Sequence, residues 1–138
     1  MNRLDTKTIE VIAKLICGSE HIPGRVTYNT PSHNRSIQDI KNFFNNAGCD
    51  IERQQFDDHT YGSKFRWVEN KLNYLNNNYQ GNIISEPTES LILRLVDPKE
   101  YPGKPDVRNN VEDYLNRVLI TEGLKVSLKG LNPSLEPA

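Results

Sequence analysis

Hydrophobic residues recur at intervals of three and four positions along much of the chain, the spacing that places side chains on one face of an α-helix. The first apolar stripe, within residues 6–17, consists of Ile9, Ile12, Ala13 and Ile16. Asp5 precedes this segment and Gly18 follows it, and these residue types favour the N-terminal cap and the C-terminal end of a helix. The pattern therefore predicts a helix over residues 6–17.

The same spacing predicts four further helices, over residues 36–47, 63–76, 87–96 and 107–121. Their apolar stripes are, in order, Ile37, Ile40, Phe43 and Phe44; Phe65, Val68, Leu72 and Leu75; Leu91, Ile92, Leu95 and Val96; and Val107, Val111, Tyr114, Leu115, Val118 and Leu119. Ser36 and Asp39 have the spacing of a capping box, with Asp in place of the usual Glu or Gln. Asp106 stands where the cap of the fifth helix is expected.

Beyond Gly123 the apolar spacing changes to two, which is the period of a strand. The alternating apolar positions are Leu124, Val126 and Leu128. Gly130 and the pair Asn132-Pro133 are typical of turns, so residues 134–137 are expected to return as a short edge strand. The predicted fold class is mainly α, a compact five-helix domain with a short C-terminal β-hairpin.

Two segments that lack helical spacing, residues 19–35 and 49–62, are long for the loops of a compact domain, and such loops are often functional. The length of 138 residues is typical of one domain. Residues 133–138 resemble a linker. We therefore expect one domain over residues 1–138 that forms the N-terminal part of a longer protein.

Charge and cysteine content narrow the functional classes. The formal net charge is -1, so no global field attracts the chain to nucleic acid or to anionic lipid. The apolar runs are far shorter than the roughly 20 residues that a membrane span requires. Cys17 and Cys49 are the only cysteines, which gives no disulfide framework. We expect a cytoplasmic protein without membrane contact.

Three sets of residues carry groups that metal binding or catalysis requires. They are Cys17, His21, His33 and Cys49; Cys49 with His59; and Glu52, Asp57, Asp58 and His59. The first set lacks the close ligand pairs of a zinc site, the second lacks supporting flanking sequence, and the third lacks the alternation of a calcium loop. Buried cysteines and solvated loops are the favoured interpretations, so we expect no metal, no cofactor and no catalytic residue.

Nucleic-acid binding is the alternative function. Three helices and a hairpin would suit a winged-helix arrangement in which the third helix, with Lys64, Arg66 and Lys71, reads the nucleic acid. Residues 24–71 contain seven basic and six acidic side chains, which is too balanced for a phosphate-binding surface unless the fold separates the two signs. Core packing with a solvated basic edge is the other interpretation of this helix.

Several segments, in this order, carry a family resemblance. They are SIQDIKNFFNNAG over residues 36–48, SKFRWVENKL over residues 63–72, NVEDYLNRVL over residues 110–119 and EGLKV over residues 122–126. Together they resemble the N-terminal domains of bacterial abortive-infection proteins of the AbiJ type and related antiphage modules. In that family the domain precedes a separate effector, often ribonuclease-like or nucleotide-binding. The resemblance implies a sensing or coupling role and brings no catalytic residues.

We therefore expect a non-enzymatic sensing or protein-interaction module of an antiphage protein, whose partner is another protein or a downstream effector domain. The residues expected to bind are Tyr28, Phe56, Tyr61, Lys64, Arg66, Trp67 and Lys71. The aromatic residues are chosen because aromatic side chains dominate interface hot spots, and Arg66 because it can anchor an acidic group. Core burial is the alternative for each aromatic residue and is favoured for Trp67.

Overall fold

A computed structural model of the chain describes residues 3–18, 30–49, 64–77 and 84–138. The described residues form five α-helices and a C-terminal antiparallel hairpin, which confirms the predicted mainly α fold class. The elements are α1 (Thr6–Cys17), α2 (Ile37–Asn46), α3 (Lys64–Asn77), α4 (Glu86–Leu95), α5 (Pro105–Leu119), β1 (Leu124–Lys129) and β2 (Asn132–Pro137). Short 3₁₀ turns, Pro98–Glu100 and Ile120–Glu122, follow α4 and α5.

The helix ends follow from local chemistry, and most of the predicted caps are confirmed. The Asp5 side chain accepts a hydrogen bond from the backbone N–H of Lys7, which satisfies one of the unpaired donors at the start of α1. Ser36 and Asp39 form the predicted capping box at the start of α2, with side-chain to backbone bonds in both directions.

The start of α5 corrects one expected cap. Asp106 lies inside the first turn, and the position before the helix is taken by Lys104, which makes no side-chain cap hydrogen bond. The helix begins two residues earlier than expected because Pro105 occupies its first position, where the fixed φ of proline is favourable and its missing N–H costs nothing. The charge of Asp106 still interacts favourably with the positive end of the helix dipole.

The core is organised around α1. This helix packs against α3, α4 and α5, and most of its side chains are buried. The predicted stripes of the other helices also line the core, with one correction: Ile37, the first residue of α2, is 37% exposed. Ile40, Phe43 and Phe44, the other members of the same stripe, are buried.

The hairpin is longer than predicted, because β2 begins at Asn132 and includes Pro133. Residues 133–138, which resemble a linker in the sequence, therefore lie largely in this strand. Leu124 pairs with Pro137 and Lys129 with Asn132, so the turn consists of two residues. Gly130, with φ of 67°, supplies the left-handed conformation that such a tight turn requires.

One side chain of α5 hydrogen-bonds to backbone groups on the edge of β1 that faces away from β2. Asn116 accepts a hydrogen bond from Val126 N–H at 2.8 Å through Oδ1 and donates one to the Val126 carbonyl at 3.0 Å through Nδ2. Because both polar groups of Val126 point away from β2, Val126 and Leu135 form a non-hydrogen-bonded pair of the antiparallel ladder. Such pairs alternate along the ladder, so Pro133 and Pro137, two residues to either side of Leu135, also belong to non-hydrogen-bonded pairs. Proline has no N–H, so the edge of β2 presents few donors.

No helix in the described part of the chain is both long enough and apolar enough to cross a membrane. The longest of these helices, α5, has 15 residues.

Candidate functional site

The sequence-based binding residues separate into three groups in the structure. Trp67 is only 5% exposed and its ring meets that of Phe44 edge to face at 5.5 Å, so core burial is confirmed for this residue. Lys64, Arg66 and Lys71 share α3 with Trp67. The three other aromatic residues, Tyr28, Phe56 and Tyr61, lie outside the described residues.

The three basic side chains of α3 have different surroundings. Lys64 Nζ donates a hydrogen bond to the Arg35 carbonyl at 2.9 Å, so this ammonium group holds the segment before α2. Lys71 Nζ lies 5.2 Å from the centroid of the Tyr74 ring, a cation–π distance, and partial burial lowers the pKa of Lys71. Arg66 is exposed. Arg66 is thus the most exposed of the three basic residues, whereas Lys64 and Lys71 are half-buried.

Arg66 begins a line of polar side chains that the sequence analysis did not single out. Asn70, Asn73 and Asn77 follow it at i+4, i+7 and i+11, which puts all four residues on the face of α3 opposite the buried stripe. We call these three asparagines the asparagine stripe. Asn70 and Asn77 are exposed, whereas Asn73 is half-buried and its Oδ1, which is shielded from solvent, has no hydrogen-bond partner among the residues that the structure describes.

A fourth asparagine of α3 has a structural role that the stripe lacks. Asn76 is 1% exposed, accepts a hydrogen bond from Leu4 N–H at 3.3 Å and donates one to the Leu4 carbonyl at 2.9 Å. Its amide therefore binds the backbone that leads into α1. The difference shows that asparagine content alone, which is visible in the sequence, does not separate structural from surface positions.

The largest polar feature of the interior is Arg35, which is 2% exposed. Its Nη1 donates hydrogen bonds to the carbonyl oxygens of Leu15 and Ile16, at 3.2 and 3.0 Å, and to Ser32 Oγ at 3.1 Å. The guanidinium also lies 4.7 Å from the centroid of the Phe43 ring. Arg35 thereby satisfies carbonyl groups that the last turn of α1 leaves unpaired. Its positive charge also interacts favourably with the negative, C-terminal end of the α1 helix dipole.

Glu100 balances the charge of Arg35 and connects it to α4. Its Oε1 lies 3.5 Å from Arg35 Nη2, and its Oε2 is 2.6 Å from Arg94 Nη2. Arg94 also approaches Asp97 at 3.8 Å. The two arginines and two carboxylates form a compact and neutral network at the C-terminal ends of α1 and α4.

Two aromatic rings lie beside this network. His33 contacts Tyr101 edge to face at 5.2 Å, and the Tyr101 hydroxyl donates to the Leu95 carbonyl at 2.6 Å. Burial, assisted by the positive charge of Arg35, lowers the pKa of His33. Burial is also the main cause that raises the pKa of Tyr101. Both groups are therefore neutral at neutral pH.

The opposite end of α1 is fixed by Glu122. Its Oε1 accepts hydrogen bonds from Asp5 N–H at 3.0 Å and from Thr8 Oγ1 at 2.8 Å. Glu122 belongs to the 3₁₀ turn between α5 and β1. Side-chain hydrogen bonds thus join α1 to the segment before α2 at one end and to the base of the hairpin at the other.

The candidate chemistry residues are only partly described. His21 and His59, with Glu52, Asp57 and Asp58, fall outside the described residues. Cys17 and Cys49 are buried and neither forms a disulfide bond, and burial raises the pKa of Cys49. Among the residues that the structure describes, no three or more His, Cys, Asp or Glu side chains are grouped as a metal site would require.

An open depression of about 250 Å³ lies between the end of α2 and α4. Its walls are Asn46, Ala47, Ser90, Leu93, Arg94 and Asp97. The volume is smaller than that of most small-molecule sites. Arg94 and Asp97 also belong to the neutral network described above, so the depression is a surface feature of that network.

The arrangement of the hairpin differs from the winged-helix expectation. The helices α4 and α5 separate it from α3 in sequence, and it packs against α4 and α5. The fold and the site together define a small helical domain with a hairpin held at one end of a central helix. A comparison with protein families, with curated proteins and with solved structures finds no match to this chain.

Proposed function

We propose that the chain is a non-enzymatic recognition domain of a bacterial antiphage protein and that it couples recognition to a separate effector. The order of sequence segments that resembles AbiJ-type domains supports the defence role. One structural observation supports the coupling role: α1 is held by side-chain hydrogen bonds at both ends, by Arg35 and by Glu122.

The geometry of α1 suits a mechanical link. Its 12 residues span about 18 Å at 1.5 Å per residue, and packed helices transmit displacement because they deform little. A ligand that moves the segment before α2 would shift the Arg35 contacts with the last turn of α1. The first turn, through Thr8 and Asp5, would pass the displacement to Glu122 and the hairpin.

Recognition in this proposal uses the surface of α3, where Arg66 is exposed and Lys71 is half-buried, together with Tyr28, Phe56 and Tyr61. The partner is a protein or a downstream effector domain, and no residue is assigned a catalytic role. Lys64 connects this face to the link, because its ammonium group binds the Arg35 carbonyl.

The experiment is phage plating on bacteria that express the full protein, with and without Glu122→Ala. This substitution removes the acceptor for both Asp5 and Thr8, while the matched control Glu10→Ala removes only a surface ion pair with Lys14 on α1 itself. We expect protection by the wild-type protein and by Glu10→Ala, and loss of protection by Glu122→Ala at equal protein level.

A second variant separates coupling from folding. Thr8→Val keeps the shape of the buried side chain and removes only the hydroxyl that binds Glu122, so a partial loss of protection is expected. Absence of protection by the wild-type protein would contradict the defence role. Full protection by both Glu122→Ala and Thr8→Val would contradict the coupling role.

A further inference from the structure

The depression between α2 and α4 has one wall of regularly spaced side chains. Four residues stand at i, i+3, i+4 and i+7 on one stripe of α4 and the residues that follow it, namely Ser90, Leu93, Arg94 and Asp97. This stripe lies on the side of α4 that faces away from its buried residues, and Asn46 and Ala47 at the end of α2 form the facing wall. Two elements thus bring polar and apolar groups around one small space.

Arg94 brings two hydrogen-bond donors that the network does not use. Its Nε and Nη2 both bind Oε2 of Glu100, at 2.7 and 2.6 Å. Its Nη1 lies 3.8 Å from Oδ2 of Asp97, which is longer than a hydrogen bond. The two N–H groups of Nη1 therefore have no acceptor among the residues that the structure describes.

The other polar groups of the depression have similar spare capacity. Asp97 Oδ1 accepts the backbone N–H of Lys99 at 2.9 Å, whereas Oδ2 has only the longer contact with Arg94. The Ser90 hydroxyl and the Asn46 amide make no hydrogen bond with any described residue. The side chains of Arg94 and Asp97 are 17% and 20% exposed, so both reach the solvent of the open depression.

The charges in the depression are adjacent and opposite. The Arg94 guanidinium and the Asp97 carboxylate are 3.8 Å apart, and together with Arg35 and Glu100 they form a neutral network. A ligand with a net charge would be attracted by one group and repelled by the other. A ligand that carries an anion beside a cation matches both, and an α-amino acid is such a zwitterion at neutral pH.

We propose that this depression binds a free α-amino acid with a small aliphatic side chain. The ligand carboxylate accepts hydrogen bonds from Arg94 Nη1 and Ser90 Oγ. The ligand ammonium group donates to Asp97 Oδ2 and to the side-chain oxygen of Asn46. Each ligand charge thereby meets one group of opposite charge and one neutral group.

The size and the apolar surface of the depression fit the same ligand class. Leu93 and Ala47, both partly buried against the core, supply aliphatic surface for the ligand side chain. The volume of about 250 Å³ is below the roughly 300–1,000 Å³ of drug-sized sites, which favours a ligand as small as one amino acid. The walls belong to α2, α4 and the residues that follow them, so the inference goes beyond the proposed function and does not rest on the surface of α3.

The test titrates the full chain with L-alanine, L-valine and L-leucine and follows the backbone amides of Ser90 and Arg94 by NMR. The matched probe is the carboxylic acid in which hydrogen replaces the ammonium group of the tightest-binding amino acid. We expect at least one amino acid to shift these amides with a Kd of about 1 mM or lower, and its matched acid to bind about tenfold more weakly.

Two variants assign the two ends of the ligand. Asp97→Asn keeps the oxygen that accepts the Lys99 N–H and removes the charge, so it should bind the amino acid about tenfold more weakly and the matched acid no more weakly. Ser90→Ala should weaken binding of both probes. Asp113→Asn, the same change as Asp97→Asn at an exposed position of α5, should bind as the wild type does.

Three results would each overturn the proposal. The first is that none of the three amino acids shifts the amides of Ser90 and Arg94 at millimolar concentration. The second is equal binding of the amino acid and its matched acid, which would make the depression a site for carboxylates alone. The third is unchanged affinity for the amino acid in both Asp97→Asn and Ser90→Ala.

Discussion

Gly18 and His33 are packed backbone against backbone: a Cβ atom added to Gly18 would lie 2.4 Å from the carbonyl oxygen of His33. Gly18 also has φ of 83° and ψ of -159°, a conformation that is almost confined to glycine. The contact lies next to the hydrogen bond from Arg35 N–H to the Cys17 carbonyl, at 3.2 Å. The two ends of the segment between α1 and α2 therefore meet at the last turn of α1.

Gly18→Ala is expected to destabilise the protein by about 3 kcal/mol or more, because strain at a positive φ and overlap with His33 add together. Gly103→Ala is the matched control: it has φ of 72° and no atom within 4 Å of the added Cβ. Gly103→Ala should lower the free energy of unfolding by about 1–2 kcal/mol, from the backbone strain of a positive φ alone. Urea unfolding of both variants measures the difference, and equal losses would contradict the close packing.

Arg35→Met is expected to lower the free energy of unfolding by about 3 kcal/mol, because it leaves the Leu15 and Ile16 carbonyl oxygens without their donor and takes one cation from Glu100. Arg35→Lys should recover only part of this loss, since an ammonium group lacks the planar fork that reaches several acceptors. Arg117→Met, at an exposed position, should change stability by about 0.5 kcal/mol or less. A denaturation midpoint of Arg35→Met close to that of Arg117→Met would contradict the role of Arg35.

Asn116→Ala is expected to lower the free energy of unfolding by about 1–2 kcal/mol, because two hydrogen bonds to Val126 are lost. Asn110→Ala on the same helix makes the same chemical change at an exposed position and should be neutral or slightly stabilising. Amide exchange at Val126 gives the local measurement. Its protection should fall in Asn116→Ala and stay unchanged in Asn110→Ala, and unchanged protection in both would refute the edge contact.

His33 is expected to make stability depend on pH in the acidic range. Burial lowers its pKa in the folded state, so as pH falls below about 6.5 the unfolded chain binds the proton first. Neutral His33 therefore makes its full contribution to the free energy of unfolding above that pH. This contribution is lost as the pH falls toward the pKa of His33 in the folded protein. Unfolding measured at several pH values should therefore show a steeper decline for the wild type than for His33→Gln, and identical slopes would contradict this assignment.

Local patterns in the sequence predicted the elements well because the elements depend on local chemistry. The period of apolar residues located all five described helices, and Ser36 with Asp39 identified a capping box. The prediction that Asp106 caps α5 was wrong, because the helix starts at Pro105. Proline in the first position and an acidic residue at the cap are both favourable helix starts, and the local sequence does not show which of them is used.

The polar contacts between elements were not predictable in the same way. Arg35 lies in a segment without periodicity, and nothing near it in sequence indicates that its guanidinium binds carbonyl groups of α1. Asn116 looks like any polar residue of an amphipathic helix, although it binds both polar groups of Val126. Such roles depend on which elements meet, and that is a property of the tertiary structure.

The claim that α1 links its two ends is tested most directly by amide hydrogen exchange in Arg35→Lys and in the wild type. The reporter is Asp5 N–H, which binds Glu122 at the far end of α1, and the reference is Glu89 N–H in the first turn of α4. If α1 couples its ends, exchange at Asp5 should accelerate more than exchange at Glu89. Equal acceleration at both amides, as global destabilisation alone would give, would contradict the link.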